Sequence, residues 1–469
     1  MTAARNWVDE YLLGGRGDAV CAVFDQPITR DALREQVSAR AAQLHEAGLR
    51  PGGTISLRLP PGAAYVVNLL AAWRTGAQVS LLDHRLTPHE VDQVMARIAP
   101  QLVVSAPGTS GRVPRGYTDV TAVVTPYAGR PAESGHALLQ LSSGSTGTSK
   151  IIGRTSANLI AEVERYLRID GIPREGERVV LLASMVHVLG LVGGLLHGLH
   201  AGVQLTLPRF LSTEAIFDAV AADTAPTTVL GVPFHLKLLI AAERLAGLAN
   251  LKHVILGGEP VPAQVRESFA DRYQVPLGNM YGMTEAGVIA TDLYGMNRPA
   301  LEPAPGMALR ERSGRLLLAM EQSPYIGPDR ADRWAQGWLH TGDAGTVDPA
   351  TGLVTVLGRG DSQVSVGGLK VDLTEVEQTL AALPGVAGAV VVCDGSIEAF
   401  VALEHPDARA GLRDAMAAQL APYKIPRRLH LLAELPSTPT GKRVRNAAVL
   451  RAAADRDRSI TAEEVVTDA

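Results

Sequence analysis

Aromatic residues are scarce in this chain, 4% of 469 residues, so a binding surface built from stacked rings is not expected. Only two cysteines occur, Cys21 and Cys393, far apart in the sequence. They form neither a disulfide framework nor a metal-ligand pattern, and they fit a reducing cytoplasm. There is no basic run and the net charge is −4, which argues against a nucleic-acid partner. The N-terminus lacks the apolar core of a signal segment. Residues 179–207 contain no Asp, Glu, Lys or Arg, a length that could span a bilayer. That stretch nevertheless holds His187, His197 and His200, is rich in glycine, and is flanked by strand-like runs at 179–182 and 203–207. A strand–helix–strand buried inside the protein accounts for it, and no membrane partner is expected.

What is present describes a globular protein, with 46% hydrophobic and 20% charged residues. The length implies about two to four domains. Short β-branched or apolar runs at 229–232 and 253–256 each follow a longer helical stretch, an alternation that implies α/β layers with parallel sheets. A run at 353–357 ends in Gly358-Arg-Gly-Asp361, a turn-like cluster suited to a boundary. Beyond it, a helix is predicted over 373–382, strands over 386–393 and 399–403, and a second helix over 407–420 capped by Asp407. The expected organisation is a large α/β N-terminal domain over 1–358, a hinge at 359–361 and a small mobile α+β domain over 362–469. The end of the chain from Arg458 is polar and expected to fray.

Residues 140–150 carry the most chemistry: Gln-Leu-Ser-Ser-Gly-Ser-Thr-Gly-Thr-Ser-Lys. A strand predicted over 136–141 opens into a loop where Gly144 and Gly147 let the backbone approach an anion. Ser143, Ser145, Thr146 and Thr148 supply hydroxyl donors, and Lys150 a positive charge, a set suited to a polyphosphate. Lys150 is not followed by Ser or Thr, so this is not a Walker A loop. Taken alone, the segment also reads as a Gly/Ser turn between a strand and a helix.

Further motifs follow: Asn279-Met-Tyr-Gly-Met-Thr-Glu-Ala286, Gly337-Trp-Leu-His-Thr-Gly-Asp343, Gly358-Arg-Gly-Asp361, Val366-Gly-Gly-Leu-Lys370, Glu375-Val-Glu377 and Pro436-Ser-Thr-Pro-Thr-Gly-Lys442. In order and spacing, together with the 143–150 loop, they resemble the core motifs of the adenylate-forming superfamily. That superfamily holds acyl-CoA synthetases, peptide-synthetase adenylation domains and luciferases, and the resemblance runs from about residue 20 to 450. It implies a two-step reaction with ATP and Mg²⁺. A carboxylate attacks the α-phosphate to give an acyl-adenylate and pyrophosphate, and the acyl group then passes to an acceptor. Such phosphoryl chemistry asks for charge neutralisation and in-line positioning rather than a protein nucleophile.

By this resemblance, Ser143 to Lys150 hold the β- and γ-phosphates, Thr284 contacts the α-phosphate and Glu285 is the Mg²⁺ ligand. Tyr281, with Gly282 beside it, lies against adenine. Asp343 accepts both ribose hydroxyls, as a carboxylate with two acceptor oxygens can, and Arg359 adds a ribose or phosphate contact. Lys442 bridges the attacking carboxylate and the α-phosphate, stabilising charge that develops in the transition state. Asp361 is the hinge, and Gly367 and Gly368 line a tunnel for a pantetheine arm. Out of this context Thr284-Glu285 reads as a helix N-terminus, Gly367-Gly368 as a β-turn pair and Lys442 as a solvated turn lysine.

Amino-acid-activating relatives place an Asp after the strand near 179 to pair with the substrate ammonium, whereas Ala183-Ser-Met-Val-His-Val-Leu-Gly190 has no acid. A buried ammonium without a partner is strongly disfavoured. His187 matches the histidine that flanks the acid in many acyl- and aryl-CoA synthetases; its other reading is a satisfied core histidine. Residues 145–155 look like those of aryl-acid activators, with Ser149 where most of the superfamily has proline. A wall of Leu189, Gly190, Val232, Gly257 and Gly258 suits a flat aryl or short acyl carboxylate. The segment before the loop is shorter than is usual for the superfamily. No Gly-x-Ser carrier signature follows Lys442, so a freestanding enzyme is expected, with CoA or a carrier phosphopantetheine as acceptor. Two rivals stay open: a ligase that transfers to an amine or nitrite, and a catalytically dead nucleotide sensor.

Overall fold

The computed structural model describes residues 6–107, 117–142, 150–241, 248–258, 261, 263–327, 333–359, 362–405, 408, 411–436 and 443–456. They separate into two compact units. The first takes Met1–His84, Met95–Ser142 and Lys150–Gly360, and the second takes Arg85–Val94 with Asp361–Ala469.

Among the described residues of the first unit, a nine-stranded sheet runs Glu302–Pro303, Gly287–Asp292, Leu277–Met283, Leu251–Gly257, Thr227–Gly231, Arg178–Leu181, Gln204–Thr206, Val20–Val23, Pro27–Thr29. From Leu277–Met283 to Val20–Val23 every pairing is parallel. A seven-stranded sheet runs Tyr325–Ile326, Lys150–Arg154, Leu138–Ser142, Gln78–Leu81, Thr54–Arg58, Leu102–Ser105, Val123–Pro126. A third sheet contains Trp338–Val347, paired antiparallel with Val354–Arg359. The two large sheets share one core: Leu57 and Val79 from one, and Leu181 and Leu205 from the other, pack with Leu69 and Trp73 of the helix Ala63–Arg74. Each fully buried leucine of this kind contributes about 1.5–3 kcal/mol.

The charge-free stretch is the expected strand–helix–strand. Arg178–Leu181 and Gln204–Thr206 are neighbouring parallel strands, and Leu189–Leu196 is a wide π-type helix that continues into His197–Ala201. Its glycines are set by close approach: a Cβ on Gly193 would meet the Tyr166 hydroxyl at 2.5 Å, and one on Gly194 would meet Leu181 at 2.7 Å. No helix among the described residues is long and apolar enough to cross a membrane.

The second unit has a hairpin, Gln363–Val366 with Leu369–Asp372, then the helix Leu373–Ala381 capped by Asp372, whose side chain accepts from the Thr374 amide. A three-stranded sheet of Val386–Cys393, Ile397–Leu403 and Arg428–Leu432 packs its apolar face against that helix. Arg85–Val94 is tied in by the buried Lys424, whose Nζ lies 2.7 Å from both Glu90 and Glu375. Two expectations are corrected. The second helix is Leu412–Gln419 rather than 407–420, because Gly411 at φ 77° breaks the winding before Leu412; Asp407 lies outside the described residues. Gly358 and Arg359 are not a turn: they finish a strand, paired with Ala344 and Asp343.

Candidate active site

The phosphate-type loop, residues 143–149, lies outside the described residues, and the strands on either side of it are described. Leu138–Ser142 and Lys150–Arg154 are antiparallel neighbours with Ser142 opposite Lys150, so the loop joins strand to strand and not strand to helix. Lys150 is buried, and its ammonium sits 5.4 Å from the centre of the Tyr325 ring, a cation–π distance.

Thr284 and Glu285 are buried in the turn between Leu277–Met283 and Gly287–Asp292, so they do not begin a helix. The strands close tightly here: a Cβ on Gly282 would meet the Gly287 carbonyl at 2.5 Å, which only glycine avoids. The Tyr325 hydroxyl donates to Glu285 Oε1 at 3.0 Å and orients that carboxylate. Tyr325 stands on the short edge strand beside Lys150–Arg154. It therefore touches both the lysine that ends the loop and the acid of the turn.

Across the same strand, the Tyr281 hydroxyl donates to Asp343 Oδ2 at 2.5 Å. Asp343 is buried in Trp338–Val347, its own amide donates to Thr341 Oγ1 at 3.1 Å, and its strand partner is Arg359. The fold thus brings Tyr281, Asp343 and the Arg359 backbone together from three strands. In the second unit, Gly367 and Gly368 form the hairpin turn at φ 58° and 81°, a left-handed pair that favours glycine. Asp361 and Lys442 lie outside the described residues.

The residues expected to line the acid pocket make the following contacts. A Cβ on Gly257 would stand 3.1 Å from the Leu189 side chain and 3.3 Å from the Met280 carbonyl, so the backbone lies close to both there. Gly258, at φ 90°, lies against Val232. Gly190 packs its backbone on the Ala183 and Ser184 carbonyls. His187 is half-buried, with its amide bonded to the Ser184 carbonyl at 3.1 Å.

Sequence reasoning missed the residues that hold His187 in place. The Tyr65 hydroxyl donates to the Met185 carbonyl at 2.8 Å and Gln140 Nε2 to the Val186 carbonyl at 2.7 Å. Both side chains are buried, and burial pushes the Tyr65 phenol up, keeping it a neutral donor. Gln140 gave a signal, a lone amide in an apolar strand. Tyr65 and Tyr325 gave none, since each sits in an ordinary amphipathic setting.

Residues 13–321 match the AMP-binding enzyme family, and residues 375–442 match the AMP-binding enzyme C-terminal domain. The chain belongs to the AMP-binding enzymes. It is similar to a feruloyl-CoA synthase of Amycolatopsis sp, 27% identical over 88% of this chain and 92% of that one. Its fold resembles o-succinylbenzoate CoA synthetase from Bacillus subtilis, with a TM-score of 0.80 and 22% identity over 94% and 97% of the two chains. Amide bond synthetase McbA from Marinactinospora thermotolerans shares the fold at a TM-score of 0.74 and 24% identity, covering 94% and 98%. This AMP-binding enzyme is therefore an adenylate-forming ligase: it activates a carboxylic acid as an acyl-adenylate for transfer to an acceptor.

Proposed function

We propose that this ligase activates an aryl or short acyl carboxylate with ATP and Mg²⁺, in the cytoplasm, and passes the acyl group to the thiol of CoA or of a carrier pantetheine. The observation that carries the choice of acid is the wall itself. Leu189 packs on Gly257, Val232 on Gly258, and residues 183–190 offer no carboxylate for an ammonium. The similarity to a feruloyl-CoA synthase supports an aryl acid.

In this reading Asp343, oriented by Tyr281, accepts the ribose hydroxyls, and Tyr281 presents its ring to adenine. Lys150 and the hydroxyls of 143–148 neutralise the outgoing pyrophosphate, while Thr284 holds the α-phosphate. Lys442 lies between the attacking carboxylate and that phosphate, and His187 flanks the acid. Glu285 fits a magnesium site. It is a buried carboxylate aimed by Tyr325, and among the described residues no group of three His, Cys, Asp or Glu could hold a metal alone. Mg²⁺ suits such a site, since it takes one or two carboxylates and completes its shell with phosphate and water. When bound it neutralises phosphate charge. The small domain swings about Asp361, and Gly367 and Gly368 leave room for the pantetheine arm.

The acceptor is tested by forming the adenylate in place and offering CoA, a phosphopantetheinylated carrier and a panel of amines in parallel. A thioester as the dominant product is expected. Amide without thioester would replace the thiol reading with the amine one.

A further inference from the structure

Behind the Thr284–Glu285 turn lies a buried ion pair that no catalytic role absorbs. Arg154 Nη2 and Glu162 Oε2 are 2.7 Å apart, and both side chains are shut off from solvent. Arg154 is the last residue of the strand that begins at Lys150, and Glu162 lies on the following helix, Ser156–Leu167. The helix starts at a fixed point, because Thr155 and Asn158 cap each other reciprocally at 3.0 and 3.1 Å.

Each member of the pair grips the turn's backbone. Arg154 Nη1 donates to the Thr284 carbonyl at 3.4 Å, and Glu162 Oε1 accepts the Val288 amide at 3.3 Å. Arg154 Nη2 also reaches the Asn158 carbonyl at 3.4 Å. One helical turn beyond, Arg165 Nη1 lies 3.4 Å from the Ala286 carbonyl and 3.5 Å from that of Val288. Guanidinium groups thus hold the carbonyls on both sides of Glu285, while Tyr325 holds its carboxylate. Gly287, at φ 79°, is the residue that lets this happen, since the Glu162 carboxylate occupies the space a Cβ would need.

A buried ion pair is a poor stabiliser: its desolvation offsets most of its attraction, and apolar replacements of both partners are often neutral or stabilising. A pair that spends its hydrogen bonds on one turn is explained better by what that turn does. We propose that Arg154 and Glu162 are positioning residues that fix Thr284 and Glu285 relative to the strand carrying Lys150, so that α-phosphate contact and magnesium ligand are preset when nucleotide enters. This rests on the roles given to Thr284 and Glu285 above. Partners that orient a metal ligand typically change metal affinity or activity about 10–100-fold when removed.

The test is ATP binding by the full chain, titrated with and without Mg²⁺, alongside the thermal midpoint. For the double variant Arg154→Met/Glu162→Leu the expected result is a midpoint near wild type and binding of metal-free ATP weakened less than binding of ATP with Mg²⁺. The gain in affinity that Mg²⁺ brings should shrink by about 10–100-fold. A double variant that keeps the full Mg²⁺ gain would reduce the pair to a packing feature and overturn the proposal. Glu285→Gln separates the two levels: if it too keeps the gain, the role of Glu285 is wrong, and the positioning role falls with it. Should the double variant not fold, Glu162→Gln, isosteric with the native side chain, carries the same comparison.

Discussion

Tyr281 and Asp343 stand 62 positions apart in sequence, and the phenol of one donates a 2.5 Å hydrogen bond to the carboxylate of the other. The bond crosses from the nine-stranded sheet to the sheet of Trp338–Val347, so it fixes the Asp343 carboxylate against the strand that leads into the Thr284–Glu285 turn. Tyr281→Phe keeps the ring and loses the bond. Its KM for ATP should rise roughly 2–10-fold with kcat little changed, from the 0.5–1.5 kcal/mol of an ordinary hydrogen bond. Asp343→Ala removes the carboxylate acceptor itself and should raise KM for ATP by about 10²-fold. Steady-state kinetics at saturating acid separates the two, and an unchanged KM for ATP in Tyr281→Phe would mean that Tyr281 does not act through Asp343.

Gln140 and Tyr65 bear on the segment proposed to flank the acid. They hold consecutive carbonyls, Val186 and Met185, just before His187. Gln140 carries a tension of its own: its Oε1 is buried with no hydrogen-bond partner among the described residues, an arrangement that costs about 1–3 kcal/mol. Gln140→Leu should therefore be nearly neutral in thermal stability, because the unpaired oxygen and the lost bond to Val186 offset one another. Its mark should be a raised KM for the acid and a broadened acid preference, with KM for ATP unchanged. A parallel rise in both KM values would show that Gln140 serves the phosphate loop instead.

A pH dependence follows from His197, which is buried and carries its Nε2 without a hydrogen-bond partner among the described residues. Burial lowers its pKa from 6.5 to about 3. The unfolded chain therefore binds a proton that the folded chain refuses, and stability is complete above pH 6.5 and lost as the pH falls towards 3. The slope from this group alone is about 1.4 kcal/mol per pH unit inside that window. Urea midpoints between pH 4.5 and 7.5 should fall more steeply in acid for wild type than for His197→Gln. Parallel curves would show that His197 accepts a proton in place.

Much of this architecture is legible in the sequence. The strands Thr227–Gly231, Leu251–Gly257 and Val386–Cys393 are apolar runs bounded by turn residues, and their period and length are local properties. The charge-free stretch was readable for the same reason, because its glycines and histidines do not suit a lipid-facing helix. Helix starts were harder. The residues before Leu412 are polar enough to pass for helix, and what ends that run is the left-handed backbone at Gly411, which composition does not reveal.

Within the site, the motifs pointed to Tyr281, Glu285 and Asp343, but not to how they are held. Tyr325 reaches Glu285 from 40 positions away, Tyr65 reaches Met185 from 120, and Arg154 reaches Thr284 from 130. None of these pairs leaves a periodic trace, since a single long-range hydrogen bond asks only for one polar tip in an otherwise apolar setting. Glu162 was hidden in the same way, as one acid on a helix whose exposed face also carries charge.

Acyl-adenylate formation from an aryl or short acyl carboxylic acid is read out by acid-dependent exchange of pyrophosphate into ATP, run on wild type and Lys442→Ala across benzoates, cinnamates, short fatty acids and amino acids. Exchange is expected with an aryl or short acyl class, none with amino acids, and a fall of at least about 10²–10³-fold in Lys442→Ala with ATP binding retained. Exchange driven by amino acids, or wild-type exchange in Lys442→Ala, would contradict that chemistry.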